Sequence, residues 1–284
     1  MNTYIVTAAK LNKRSIIPLA LPDDKSIAGV VFKDFTFSAD EVDEQDVPNP
    51  ALGKWYRDKD GYFFWGGGIM QVHSADGLTL SVPQLKAATG AALASAQRFL
   101  PYVVDVLNKY QINTPIRQLC FLAQVGHESG GLFFTEELAD GRAYEGRKSL
   151  GNTQPGDGMR FKGRGLIQIT GRNNYQALSK AFGVDFISHP ELLGGKNAPV
   201  CTPDQLKYSA LSAGWFWNDR QLNNRADKMT LDASIQGDIN NPVSGSNLYF
   251  FEKITKDING GLNGIDHRIQ LFNAGLPFFK SQAV

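Results

Sequence analysis

Two kinds of periodicity divide the chain. Up to about residue 75, apolar and aromatic residues alternate with polar ones in short runs: YIVTA, IAGVVF, FTFSA, KWYRD and GYFFWGGGI. A period of two sends alternate side chains to opposite faces of a strand, and these runs are rich in β-formers, so each predicts a strand. Turn-forming stretches part them, at Leu21 to Lys25, at Asp58 to Gly61 and at the glycine triplet Gly66 to Gly68. Short strands at regular spacing predict a small β-rich domain over residues 1–75, of barrel type.

The period then lengthens. QVHSADGLTLSVPQLKAATG opens the change, with Ser81 as an N-cap and Pro83 in the first helical turn. The boundary is expected near residues 75–80, with a linker over 76–84 and a second domain over 85–284. AALASAQRFLPYVVDVLNKY repeats apolar residues at steps of three and four despite Pro101. TPIRQLCFLAQVGHES starts on Thr114 as cap and Pro115 and stops at Gly130-Gly131. TPDQLKYSALSAGWFWNDR and NLYFFEKITKDING are further helices. The second domain reads as mainly α.

Charge adds an asymmetry to a chain of 284 residues with a net charge of +1. Residues 1–80 hold 8 Lys/Arg against 11 Asp/Glu, and residues 81–284 hold 21 against 17. A mildly basic C-terminal part suits an anionic polymer and lacks the strong basic patch that nucleic acid requires. Two cysteines, Cys120 and Cys201, form no C-x-x-C; Cys120 is expected as a small buried hydrophobe, with a Cys120–Cys201 disulfide as the alternative. The opening MNTYIVTAAKLNKR has no basic stretch before its short apolar run, so it reads as a strand rather than an export signal. No run reaches the length of a membrane span. The expectation is a monomer made in the cytoplasm, with no membrane insertion.

The chemistry gathers in three pieces. Glu128, in GHESGG, falls at the C-terminal end of its helix, where the helix dipole and an apolar wall would disfavour an anion, as a general acid needs. His127 beside it invites a metal, but the chain has four histidines and no H-E-x-x-H, so no metal or cofactor is expected and His127 reads as packing or orienting. The second piece, TEELADGRAYEGR, follows the glycine break with Glu136, Glu137 and Glu145, any of which can face Glu128. Two carboxylates across a cleft are the minimum equipment for cleaving a glycosidic bond. The third, FKGRGLIQITGRNNY, combines glycines that permit close backbone approach with Gln168, Thr170 and Asn174, neutral hydrogen-bonding groups suited to sugars.

FLAQVGHESGG, GRGLIQITGRNNY, SAGWFW and DINGGLNGIDHRIQLF, in that order over residues 85–278, resemble glycoside hydrolase family 19, the chitinase-like lysozymes and most closely their phage-endolysin branch. The resemblance implies a mainly α, two-lobed, lysozyme-like catalytic domain and inverting hydrolysis of β-1,4-linked amino-sugar polymers. It makes Glu128 the general acid and Glu137, nine residues on, the general base. It makes Thr170 the hydroxyl that holds the attacking water, and Gln168 and Asn174 substrate contacts. Asn259 and Arg268 match a distal network supporting base and sugar. Glu145 lies in a motif typical of the branch and is carried as a substrate contact, the alternative being a salt bridge with Arg147 or Arg164. Trp215 and Trp217 read as core rather than subsite walls. SIQGDINNPVSGSNLYFFEK is longer than the usual link, so a subsite from that link is not assumed. LNKRS and the later KWY loosely resemble bacterial SH3-like domains that bind cell walls, with Trp55, Tyr56, Tyr62 and Trp65 as groove or core.

Three readings follow. The first is a peptidoglycan-cleaving lysozyme, delivered to the wall by a holin or a secretion system; the second is a chitinase using the same residues. The third is a non-catalytic wall-binding protein, which intact Glu128, Glu137 and Thr170 argue against.

Overall fold

The computed structural model describes residues 2–32, 35–72 and 80–280, and the chain divides into two units, Met1–Thr79 and Leu80–Val284. The expected linker over 76–84 lies partly outside the described residues; where it is described, Ser81 already caps a helix that begins at Val82.

Among the described residues the first unit is one antiparallel sheet of seven strands. They are β1 (Asn2–Val6), β2 (Lys10–Arg14), β3 (Ile27–Phe32), β4 (Thr36–Glu41), β5 (Trp55–Asp58), β6 (Phe63–Trp65) and β7 (Ile69–Val72), in the spatial order β3-β2-β6-β5-β4-β1-β7. Only residues 7–9 separate β1 from β2, yet these strands flank the run β6-β5-β4 on opposite sides, so the sheet must curl strongly. Among the described residues the hydrogen-bonded ladder stays open, with β3 and β7 at its edges; a closed barrel is not formed. Strand alternation builds two clusters. Val6, Leu11, Val31 and Phe64 pack with Phe37, Tyr62 and Ile69; Ile17, Val47 and Trp55 pack with Val42 and Phe63. The four aromatic residues expected to share a groove or a core separate accordingly. Trp55 is fully buried, Tyr62 supports the first cluster and Tyr56 lies against Tyr4, while Trp65 alone is substantially exposed.

The second unit is helical: α1 (Val82–Thr89), α2 (Leu93–Lys109), α3 (Pro115–Glu128), α4 (Asp157–Arg160), α5 (Arg172–Phe182), α6 (Pro203–Asp219), α7 (Asn223–Ala226), α8 (Asn247–Asn259) and α9 (Ile265–Lys280). Ser81 and Thr202 close capping boxes at α1 and α6, and Thr114 caps α3 with Pro115 in its first turn. Unbroken burial from Gln118 to Gly126 makes α3 the central helix, with α1 and α9 packed on it. Gly126 explains its place in the motif, since a Cβ there would stand 2.6 Å from the Thr89 backbone. Trp217 is core, edge-on to Phe121 with its indole N–H on Asn223; Trp215 is half-buried. Cys120 and Cys201 are both free and buried, so the disulfide alternative falls. Among the described residues no helix is long and apolar enough to cross a membrane.

Candidate active site

Glu128 ends α3, and the chain then turns on two consecutive left-handed glycines, Gly130 at φ 59° and Gly131 at φ 74°. Buried Ser129 holds the turn together: its hydroxyl donates to the Val125 carbonyl and accepts from Leu132 N–H. The segment that emerges pairs, as a short antiparallel bridge, with residues 163–165. Gly165 N–H donates to the Thr135 carbonyl, Glu137 N–H to the Gly163 carbonyl, and Arg164 exchanges both backbone bonds with Ile169.

This strand-like pairing separates two adjacent acids, because successive side chains point to opposite faces. Glu136 shares its face with Lys162 and Arg164, whose charged groups reach it at 2.7 and 2.8 Å. Burial works to raise the Glu136 carboxyl, but the Lys162 hydrogen bond and the Arg164 charge outweigh it and hold it below the ordinary value. Glu137 points the other way, where Gly163 leaves room. A Cβ on Gly163 would stand 2.8 Å from Gln168 Oε1, 3.2 Å from Glu137 Oε2 and 3.3 Å from Thr170 Oγ1. Tyr144 donates to Glu137 Oε2 at 2.9 Å, while Glu137 Oε1 is buried without a protein partner. Burial, then the bond to Glu137, pushes the Tyr144 phenol up.

Glu128 has a second, distinct set of neighbours. Arg268, on α9, is almost wholly buried; it donates to Glu128 Oε1 at 2.5 Å, to Gln124 Oε1 at 2.7 Å and to the Asn263 carbonyl at 3.3 Å. Gln124 in turn donates to Thr255 on α8 at 3.0 Å. Asn259 also donates to the Asn263 carbonyl, at 3.0 Å. One residue earlier on each helix, His127 Nδ1 meets His267 Nδ1 at 2.9 Å. Burial, the Arg268 charge and His267 lower the His127 imidazole to about 4. The partner standing against Glu128 is therefore a guanidinium, where an apolar wall was expected.

The sequence model of the chitinase class I family of glycoside hydrolases matches residues 117–281, more than half of the chain. The chain belongs to glycoside hydrolase family 19. It is 32% identical over 190 residues to a glycosyl hydrolase family 19 domain-containing protein of Haemophilus influenzae, covering 56% of this chain and 78% of that one. It is 32% identical over 180 residues to an endochitinase of Solanum tuberosum, covering 56% and 50%, and over 128 residues to one of Arabidopsis thaliana, covering 45% and 39%. The chain thus spans half or less of the length of these plant enzymes. Chitinase C of Streptomyces griseus superposes with a TM-score of 0.48 at 21% identity, over 73% of this chain and 96% of that one.

Within this family 19 chain the expected site residues fall into two groups. Glu137, Thr170 and Gln168 converge on Gly163; Asn174, on the first turn of α5, is exposed and donates to the Thr170 carbonyl at 2.7 Å. Gln168 sits at φ 56° and donates to the Gly165 carbonyl, so it shapes the turn that carries Thr170. Arg268 and Asn259 belong to the Glu128 group, with Arg268 too buried to meet a sugar. For Glu145 the salt-bridge alternative is not formed. It pairs with neither Arg147 nor Arg164; its two carboxylate oxygens accept the backbone N–H groups of Gly156 and Gly158, each at 2.7 Å. The long link before α8 is tied to α9 through Ile235 and Asn273. Tyr144, Gln124 and Lys162 were not singled out from the sequence. Tyr144 stands one residue before Glu145 in a motif that was, but nothing local reveals its reach to Glu137.

Proposed function

We propose that this glycoside hydrolase cleaves β-1,4 bonds between amino sugars with inversion, using Glu128 as general acid and Glu137 as general base. One observation carries the reading: Glu137 Oε2 stands in a cluster with Thr170 Oγ1 and Gln168 Oε1 around Gly163 and its Oε1 is buried without a partner, while neighbouring Glu136 is consumed by ion pairs. A water held by Thr170 loses a proton to Glu137 as it attacks the anomeric carbon. Glu128 protonates the leaving oxygen. Arg268 occupies its Oε1, so the donated proton belongs on Oε2. Gln168 and Asn174 supply hydrogen bonds to the sugar.

Peptidoglycan is the substrate we favour. The excess of four positive charges over residues 81–284 suits an anionic wall polymer, and the separate N-terminal sheet suits a wall anchor of SH3-like kind. In this reading the enzyme is an endolysin-type muramidase, made in the cytoplasm and delivered by a holin or a secretion system. Chitin is the second reading, favoured by the plant endochitinases among the chain's relatives. Digestion of purified peptidoglycan beside colloidal chitin, with mass spectrometry of the new reducing ends, separates them. Release of muropeptides with reducing N-acetylmuramic acid supports the first reading; turnover of chitin alone overturns it.

A further inference from the structure

The segment from Gly141 to Gly158 takes no part in the reaction as written, yet it is fastened at both ends and delivers one side chain to the site. Tyr144 closes a 3-10 turn, Arg142–Tyr144, and puts its phenol on Glu137 Oε2. Its carbonyl accepts from Asn152 Nδ2 at 2.9 Å, and the Asn152 side-chain oxygen accepts from Arg172 N–H, where α5 begins. Glu145, the next residue, grips the N–H groups of Gly156 and Gly158. Buried Asp157, between those glycines, is held by the Arg172 guanidinium. The Arg147 guanidinium lies 5.3 Å from the centre of the Tyr144 ring. The far end of the loop is thereby locked to α5, and the near end to the far end.

A carboxylate held by its backbone still has a soft terminal torsion, broad and roughly two-fold, that exchanges its oxygens. A fixed donor on one oxygen removes that freedom, and a phenol–carboxylate bond is charge-assisted and directional. The Tyr144 bond thus sets the rotation of the Glu137 carboxylate, with Oε2 in the cluster of Thr170 Oγ1 and Gln168 Oε1 and Oε1 buried without a partner. We propose that Tyr144 is the positioning residue of the base, fixing the rotation of the Glu137 carboxylate so that Oε2 stays beside Thr170 and Gln168, and that Glu145 acts through it by clamping the loop that carries the phenol. The inference rests on the reading of Glu137 as base. It gives the AYEG stretch a task that neither a substrate contact nor a salt bridge supplies.

The test compares Tyr144→Phe, Glu145→Ala, their double variant and Glu137→Gln in the full chain. The assay uses soluble peptidoglycan fragments or N-acetylglucosamine oligomers, whichever the unaltered enzyme cleaves. Tyr144→Phe keeps the ring and its contact with Arg147, so the fold is retained. Its kcat is expected to fall about 10-fold or more, since a misdirected reacting group is costly, with KM within about twofold and an unchanged Tm. Glu145→Ala lowers kcat by a smaller factor and adds nothing in the Tyr144→Phe background, because groups acting through one another are not additive. An unchanged kcat in Tyr144→Phe, or a Glu145→Ala loss that multiplies in full in the double variant, overturns the inference. Glu137→Gln separates the two levels. If it is inert while Tyr144→Phe is fully active, the base stands and the positioning role falls. If it is active, both fall.

Discussion

Arg268 places Nη2 2.5 Å from Glu128 Oε1 and Nη1 2.7 Å from Gln124 Oε1 while only 1% of its own surface meets solvent. A planar fork can serve two acceptors on α3 and the Asn263 carbonyl at once; an ammonium cannot match that geometry. Arg268→Lys is therefore expected to fold but to lose much of kcat, as Glu128 drifts from its place. Arg268→Ala is expected to cost about 3 kcal/mol or more, because it leaves buried polar partners unpaired. Urea denaturation and steady-state kinetics read the two effects; a lysine variant with normal kcat would remove Arg268 from the site.

Glu136 gives a prediction in pH. Its folded carboxyl is depressed, since the Lys162 bond and the Arg164 charge overcome burial. A depressed acid contributes stability above its unfolded value, about 4.5, and that contribution is lost as pH falls through the folded value. Glu136→Gln should be clearly less stable than the unaltered chain at pH 7 and nearly equal to it well below the folded value. Denaturation curves at the two pH values check this, and a gap of constant size refutes it.

How far the sequence disclosed this site follows from the range of each interaction. Thr114, Pro115, the apolar run and Gly130-Gly131 are local signals, and they placed α3 and Glu128 correctly. The distinction between Glu136 and Glu137 came from a family resemblance. Its physical cause, alternation along a bridge with residues 163–165, needs a partner strand that no local pattern announces. For Glu145 a local reading offers an ion pair with Arg147 or Arg164 as the alternative to a sugar contact, and it cannot foresee that the loop brings the N–H groups of Gly156 and Gly158 to its two oxygens. Helices α5 and α9 carry family motifs but are not among the helices that periodicity predicts. The curl of the first sheet, too, depends on which strand pairs with which.

His127 supplies an independent acid-side prediction. Burial first, then Arg268 and His267, brings its imidazole to about 4 from an ordinary 6.5. The unfolded chain then binds more protons between those values, so the folded state loses stability as pH falls from 6.5 towards 4 and the loss levels off below. Replacing His127 by Asn should flatten the slope in that window and leave the Glu136 window unchanged. Equal slopes in both proteins would show that His127 titrates normally.

The central claim is that Glu137 activates water instead of attacking the sugar. A base needs room for that water, with carboxyl groups roughly 6.5–9.5 Å apart, where a nucleophile would stand about 5–5.5 Å away. The Thr170 hydroxyl beside Glu137 has a clear task only in the first case. Proton NMR of the earliest products from a β-linked substrate reads the outcome directly. The account predicts that the α-anomer appears first and mutarotates to the equilibrium mixture, with no fluorosugar trapped on the enzyme. Initial β-anomer, or a covalent adduct on Glu137, would contradict it.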